Sequence, residues 1–281
     1  MSLTDAQWAR IEPLLPDRTP RRGGRWRDHR QVIDAIAFKY RTGTPWMDLP
    51  EHFGSWKGAH NRLRKWAADG TWAKAFTALL AQADAEGDLD WVVAVDSTIV
   101  RAHQHAAGAR PKGAPAGEPS DHALGRSRGG LTTKIHLAAD SRCRPLAFVL
   151  TPGQAADAPA FVQVMACLRV PRPVGRPRIT PDVVLADKAY SSRAIRRHLR
   201  RRGIRAVMPQ PADQAANRKR LGRLGGRPPA FDREAYKQRN TVERCINKLK
   251  QWRGLATRYD KTATIYLAGL HIAAIFIWSA R

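Results

Sequence analysis

The run LDWVVAVDSTIVRAH, residues 89–103, decides how this chain is read. Its β-branched, apolar first half forms a short buried strand, because Val and Ile suit a pleated, packed surface. The strand carries an acid, Asp96, directly after WVVAV. A second run, PDVVLADKAY (181–190), repeats the pattern and places Asp187 directly after VVLA. An Asp at the end of a buried strand is either a turn or cap residue or part of a site at the sheet edge.

Working outward, LTTKIHLAAD (131–140) alternates as a strand, with CRPLAFVLTPG (143–153) as its hairpin partner across DSRC. DAPAFVQVMACLRV (157–170) is helical. SSRAIRRHLRRRG (191–203) is a helix capped by Ser191 or Ser192, and IRAVMPQP (204–211) is a further strand. REAYKQRNTVERCINKLKQWRG (233–254) reads as one long helix. The apolar run ATIYLAGLHIAAIFIW (263–278) falls short of the roughly 20 residues of a membrane span and reads as a buried helix. The order of strands and helices predicts an α/β domain over residues 88–281. Two stretches lack periodicity and read as mobile loops: a Gly-, Ala- and Pro-rich one near 104–130 and a basic, Gly-rich one near 211–232.

Residues 1–85 read as an all-helical domain. LTDAQWARIEPLL (3–15) has Thr4 as N-cap, and HRQVIDAIAFKYRTG (29–43) ends at Gly43. A helix carrying Arg62, Arg64 and Lys65 follows, in a helix-turn-helix-like arrangement that suits DNA reading; plain packing of a helical hairpin explains it as well. Six of the nine tryptophans lie between residues 8 and 72, which points to a helical core there.

The chain holds 49 Lys plus Arg against 24 Asp plus Glu, a net charge of +25. Such an excess points to a polyanion partner, most simply nucleic acid. Three scattered cysteines, with no CxxC, argue against a disulfide framework or a zinc site and suit a reducing compartment. The first residues lack the apolar core of a secretory leader, so none is expected. No GxxxxGK[ST] is present, so no nucleotide cofactor is expected. His103, His105, His122 and His136 supply no ligand spacing typical of zinc. The arginine run 196–205 is either a solvated helix face or a DNA-backbone contact.

Within the long helix, 3.6-residue periodicity puts Tyr236, Arg239, Glu243, Asn247 and Lys250 on one face. An i,i+4 ion pair of Arg239 with Glu243 is one explanation. The other is a phosphodiester site. Two divalent ions roughly 3.5–4 Å apart activate a nucleophile and stabilise a leaving oxygen, and hard ions such as Mg²⁺ prefer carboxylate oxygens. Asp96, Asp187 and Glu243 would then be the ligands, and the neighbouring cations would serve phosphate.

Four stretches carry a family resemblance: VDSTIVRAH (95–103), GRSRGGLTTKIHLAAD (125–140), ADKAYSS (186–192) and YKQRNTVERCINKLK (236–250). Together they resemble the DDE transposases of bacterial insertion sequences, in particular the IS5-like family. The last fits that family's Tyr-x2-Arg-x3-Glu-x6-Lys signature at Tyr236, Arg239, Glu243 and Lys250. The resemblance spans nearly the whole chain. It implies an RNase H-like core, with Asp96, Asp187 and Glu243 as the catalytic triad holding two Mg²⁺ ions, Mn²⁺ substituting. It implies cleavage at the element's ends to free a 3′-hydroxyl, and direct attack of that hydroxyl on target DNA. The expected partners are terminal inverted repeats, target DNA and further copies of the chain; the expected location is the bacterial cytoplasm, at the nucleoid, with no membrane. Tyr236, Arg239 and Lys250 are expected near DNA, as are Arg62, Arg64 and Lys65. The competing expectations are a non-catalytic helix-turn-helix regulator and a Mg²⁺-dependent nuclease that cuts without joining.

Overall fold

The structure, a computed structural model, describes residues 2–19, 26–108 and 115–280. Four helices come first: α1 Asp5–Ile11, α2 His29–Thr42, α3 Trp56–Ala68 and α4 Thr71–Ala85. Thr4 and Gln7 close a reciprocal capping box on α1, which satisfies two otherwise orphaned N–H groups. Asp28 caps α2, and Gly43 ends it at φ +75°, a backbone conformation that a side chain resists. The α2–α3 connection is long, containing short 3₁₀ turns at Trp46–Asp48 and Glu51–Phe53.

The sheet follows: β1 Val92–Ala102, then α5 Gln104–Ala107, β2 Gly125–Ser127, β3 Gly130–Ala139, β4 Pro145–Pro152, α6 Asp157–Cys167, β5 Val183–Ala186, α7 Arg193–Arg201 and β6 Arg205–Val207. The main order is β4-β3-β1-β5-β6. The first three strands run antiparallel, while β5 and β6 run parallel to β1. Three antiparallel strands extended by two parallel ones through helical crossovers is the RNase H-like arrangement. The parallel connections demand crossovers, which α6 and α7 supply.

The chain ends with α8 Ala212–Arg220, α9 Arg233–Lys237, α10 Asn240–Lys250, α11 Arg253–Ala256, the two-residue strand β7 Thr257–Arg258 and α12 Ala263–Ser279. Three expectations change here. Part of the basic stretch read as a loop is the helix α8, continued by a 3₁₀ turn at Gly222–Gly225. The single helix over 233–254 is three. At the break, Thr241 and Val242 donate to carbonyls three residues back, at Gln238 and Arg239. The stretch near 104–130 is likewise tied down in part: Arg258 donates to the carbonyls of His122 and Ala123. Residues 109–114 of that stretch lie outside the described residues.

The helix α12 is apolar on all sides and largely buried, as befits a core helix. It packs on α3, α4 and β4. No helix among the described residues is long and apolar enough to cross a membrane. One buried cluster runs from Leu3 through the sheet to Trp278. Tyr40 of α2 joins the two ends of the chain: a Cβ on Gly269 would stand 2.7 Å from its ring, and its hydroxyl donates to Asp260 at 3.1 Å.

Candidate active site

The register of β1 with β5 ends at Val95 opposite Ala186. The next residue after each is an acid: Asp96, which lies inside β1 rather than at its end because β1 runs on beside β3, and Asp187, just past the end of β5, so parallel pairing sets the two side by side. Asp187 leaves the strand to cap a 3₁₀ turn, its Oδ1 accepting from the Ala189 N–H at 2.9 Å. Asp96 Oδ1 accepts from the Ser97 N–H at 2.8 Å.

The third acid arrives on α10, which lies against β1 and β3. Its Val242, Cys245, Ile246 and Leu249 are buried. That spacing, i, i+3, i+4, i+7, turns the face bearing Glu243 outward. Arg239 bridges the acids: it donates to Asp96 Oδ2 at 3.0 Å and to Glu243 Oε1 at 2.6 Å. Both readings of the helix face therefore meet in one residue. The i,i+4 ion pair exists, and the same guanidinium ties Glu243 to the strand acid.

The electrostatics are those of crowded like charges. Burial raises the Asp96 pKa; Asp187 and Glu243 push the same way, against the Ser97 N–H and Arg239. Burial works to lower Arg239, but Glu243 and Asp96 outweigh it and hold the guanidinium above its ordinary value. Tyr236 is raised by burial, with Asp187, Glu243 and Asp96 adding to the shift and Arg239 opposing it; its ring packs edge-on against Phe231 at 5.2 Å. Lys250 sits apart. It lines a small apolar cavity with Ile246, Leu249 and Leu270, and burial lowers its pKa.

Behind Asp96 lies a network that the sequence reading missed. Asp157, at the start of α6, accepts from Ser97 Oγ at 2.7 Å and from Lys134 Nζ at 2.9 Å. His136, paired with Ser97 across the strands, is buried and pushed down to about 4, so it is neutral at physiological pH. The signal was Lys134 and His136, two residues apart on one face of a largely buried strand. The other histidines go elsewhere. His103 packs on His105 and Tyr259, and His122 meets Glu118 at 2.7 Å.

An all-oxygen donor set suits a hard divalent ion rather than zinc or copper. Among the described residues, no three His, Cys, Asp or Glu side chains are gathered into a ready-made metal group. Instead, the Arg239 guanidinium bridges two of the three acids. A cation already stands where the carboxylates need one, and the donor chemistry fits a divalent metal.

The predicted DNA-reading residues divide. Arg62 is engaged, stacked 4.4 Å from the Trp26 ring centroid and 2.7 Å from His29 Nδ1. Lys65 is exposed and lies 4.4 Å over Trp26. Arg64 is exposed and lines a surface trough with Lys65, Asn61 and Ile265.

Comparison with known proteins follows the same outline. The family model "Transposase DDE domain" matches residues 87–278. This chain belongs to the DDE transposase family. A second model, "Putative transposase of IS4/5 family (DUF4096)", matches residues 3–76. The "Putative transposase for insertion sequence element IS6501" of Brucella ovis is 30% identical over 53% of this chain and 98% of its own length. The "Uncharacterized protein y4sN" of Sinorhizobium fredii is 41% identical over 38% of this chain and 82% of its own. Among solved structures, a pre-cleavage Mos1 transpososome aligns over 85% of this chain and 82% of that one, at 15% identity and a TM-score of 0.26; a likeness that low adds nothing to the fold. As a DDE transposase the chain acts on DNA, cutting and joining strands, with dependence on a divalent metal.

Proposed function

We propose that Asp96, Asp187 and Glu243 are the catalytic carboxylates of this transposase and that they hold two Mg²⁺ ions, with Mn²⁺ as a substitute. The observation that carries the reading is the register Val95 to Ala186, which brings Asp96 and Asp187 out side by side, with Arg239 linking Asp96 to Glu243. The ions supply nucleophile activation and stabilisation of the leaving oxygen. The chain's own residues set up the rest. The sheet fixes both aspartates, and α10 brings in the glutamate. Arg239 offsets their mutual repulsion and presents a planar cation suited to a phosphate. Tyr236 flanks the scissile region, and Lys250 meets DNA with its ammonium while its stem lies over apolar residues.

The reaction is hydrolysis of the phosphodiester at the element's end, freeing a 3′-hydroxyl. That hydroxyl then attacks a target phosphodiester, forming one bond as another breaks. Residues 1–85 recognise the terminal inverted repeats, with Arg64 and Lys65 as contacts and Arg62 held by its tryptophans to shape that surface; residues 88–281 are the catalytic domain. Two or more copies pair the two ends, at the nucleoid in the bacterial cytoplasm. The test is strand transfer with purified protein, Mg²⁺ and a labelled duplex carrying the element's end. Joined product that disappears in Glu243→Gln supports the reading. Cutting without joining makes the protein a nuclease, and binding with neither makes it a regulator.

A further inference from the structure

A trough of arginines, most of them without an ion pair among the described residues, begins beside the candidate active site. From the Asp187 turn the chain passes through Ser191 and Ser192, which line the trough's near end, and enters α7. Five of the nine residues of that helix are arginine. One depression, about 720 Å³, lies between α7 and α8; a second, about 790 Å³, lies toward β6, the edge strand. Both are lined by Arg196, Arg200 and Arg227, so they form one continuous channel. No acid is among the described residues that line it.

A solvated basic face is the plain alternative, and three features go beyond it. First, Arg193, Arg197, Arg200 and Arg227 have no ion-pair partner among the described residues, although Arg178, outside the channel, pairs with Asp182, and Arg205, of the lining toward β6, pairs with Asp232. Second, α7 opens on Arg193 with no acid in its first turn, where the helix dipole disfavours a cation and favours an anion. Third, Arg218 Nε is buried without a partner, and Arg196 is braced by Ser191 Oγ at 2.7 Å and the Met208 carbonyl at 2.9 Å. A braced guanidinium costs less entropy to place on a ligand.

The lining also restricts the occupant. Among the described residues it contains no Phe, Tyr or Trp, so these supply none of the stacking platforms that hold single strands. Clustered guanidinium groups without base-reading geometry recognise duplex backbone irrespective of sequence. In an enzyme that must recognise its own ends yet join them to other DNA, sequence-independent grip belongs to the second duplex. We infer that the channel along α7 and α8 holds the target duplex by its phosphates. This rests on the transposase reading above.

The test is binding, so it stands apart from catalysis. Arg197→Gln, Arg200→Gln and Arg227→Gln are combined; all three residues are exposed. The control combines Lys74→Gln, Arg169→Gln and Arg176→Gln, exposed residues outside the channel with the same charge change. Affinity for a random-sequence duplex is measured from low to high salt. Each lost phosphate contact lowers the log–log salt slope by about 0.9, so the channel variant should lose about 2.7 and the control less than 1. The preference for an element-end duplex over the random one should rise in the channel variant. Equal slopes in the two variants would overturn the inference, as would an unchanged preference, which would mean the channel grips both duplexes alike. If the wild type neither cuts nor joins, the transposase reading fails while the slopes still report on the channel.

Discussion

Glu118 and Asp96 are both acids drawn out of water, and the fold treats them in opposite ways. Glu118 sits at the N-terminus of α12, where it accepts from the Ala263 N–H at 2.6 Å, the Thr264 N–H at 2.9 Å and His122 at 2.7 Å. Burial opposes its charge, yet the Thr264 hydroxyl, His122 and the backbone donors win and hold its pKa below the ordinary value. Asp96 has one backbone donor and a share of Arg239, with two further carboxylates close enough to oppose its charge, and its pKa is held above the ordinary value. An acid whose donors are saturated holds a structure together. An acid crowded with like charge and short of donors has most to gain from a divalent cation.

Substitutions should separate the two acids. The largest effect is expected at the site. Asp96→Asn should lower strand transfer by about 10²-fold or more, since a metal supplies several kcal/mol to the transition state and about 1.4 kcal/mol is a factor of ten. Its melting temperature should stay level or rise, because like-charge repulsion is relieved; a well-folded variant that joins DNA at the wild-type rate would break the comparison. Glu118→Gln should do the reverse, costing about 1.5–3 kcal/mol of stability in denaturant titration, in line with charged hydrogen bonds. Ser97→Ala cuts the hydroxyl link to Asp157 and should slow cleavage roughly 10-fold, the lower range for residues that support a metal site; an unchanged rate would make that network purely structural.

The smallest effect is in the pH dependence of stability. Glu118 has a depressed folded pKa, so its contribution is complete above the unfolded value of about 4.3 and is lost as pH falls through the lower folded value. The stability gap between wild type and Glu118→Gln should therefore be flat above about pH 5 and close below about pH 4.3. A gap that widens on acidification would refute the assignment of Glu118 as an ionised cap.

Much of this was legible in the sequence because its signals are local. The runs WVVAV and VVLA locate β1 and β5 and the acid after each, although β1 continues past Asp96 to Ala102. The buried α12 shows in its unbroken apolar run. What the sequence did not disclose depends on distant partners. Polar α8 has no buried residue, so it carries no amphipathic stripe to read. The break before α10 is a tightening of the backbone, with Thr241 and Val242 bonded three residues back, and the contact of Arg239 with Asp96 spans 143 residues. Lys134 and His136 looked like isolated polar residues until strand pairing set Ser97 opposite His136 and α6 brought in Asp157. Lys250 kept the spacing of its face, yet its stem turned to the apolar side beside Ile246 and Leu249.

Asp187 offers the sharpest test, because the Arg239 bridge does not reach it and its place rests on strand register and on its charge acting on Asp96. The measurement is cleavage and strand transfer by Asp187→Asn on a duplex carrying the element's end, in Mg²⁺ and in Mn²⁺, beside the wild type. The account predicts a folded protein that still binds the duplex and gives no joined product with either metal. Joining at the wild-type rate would contradict it and return Asp187 to the part of a turn cap.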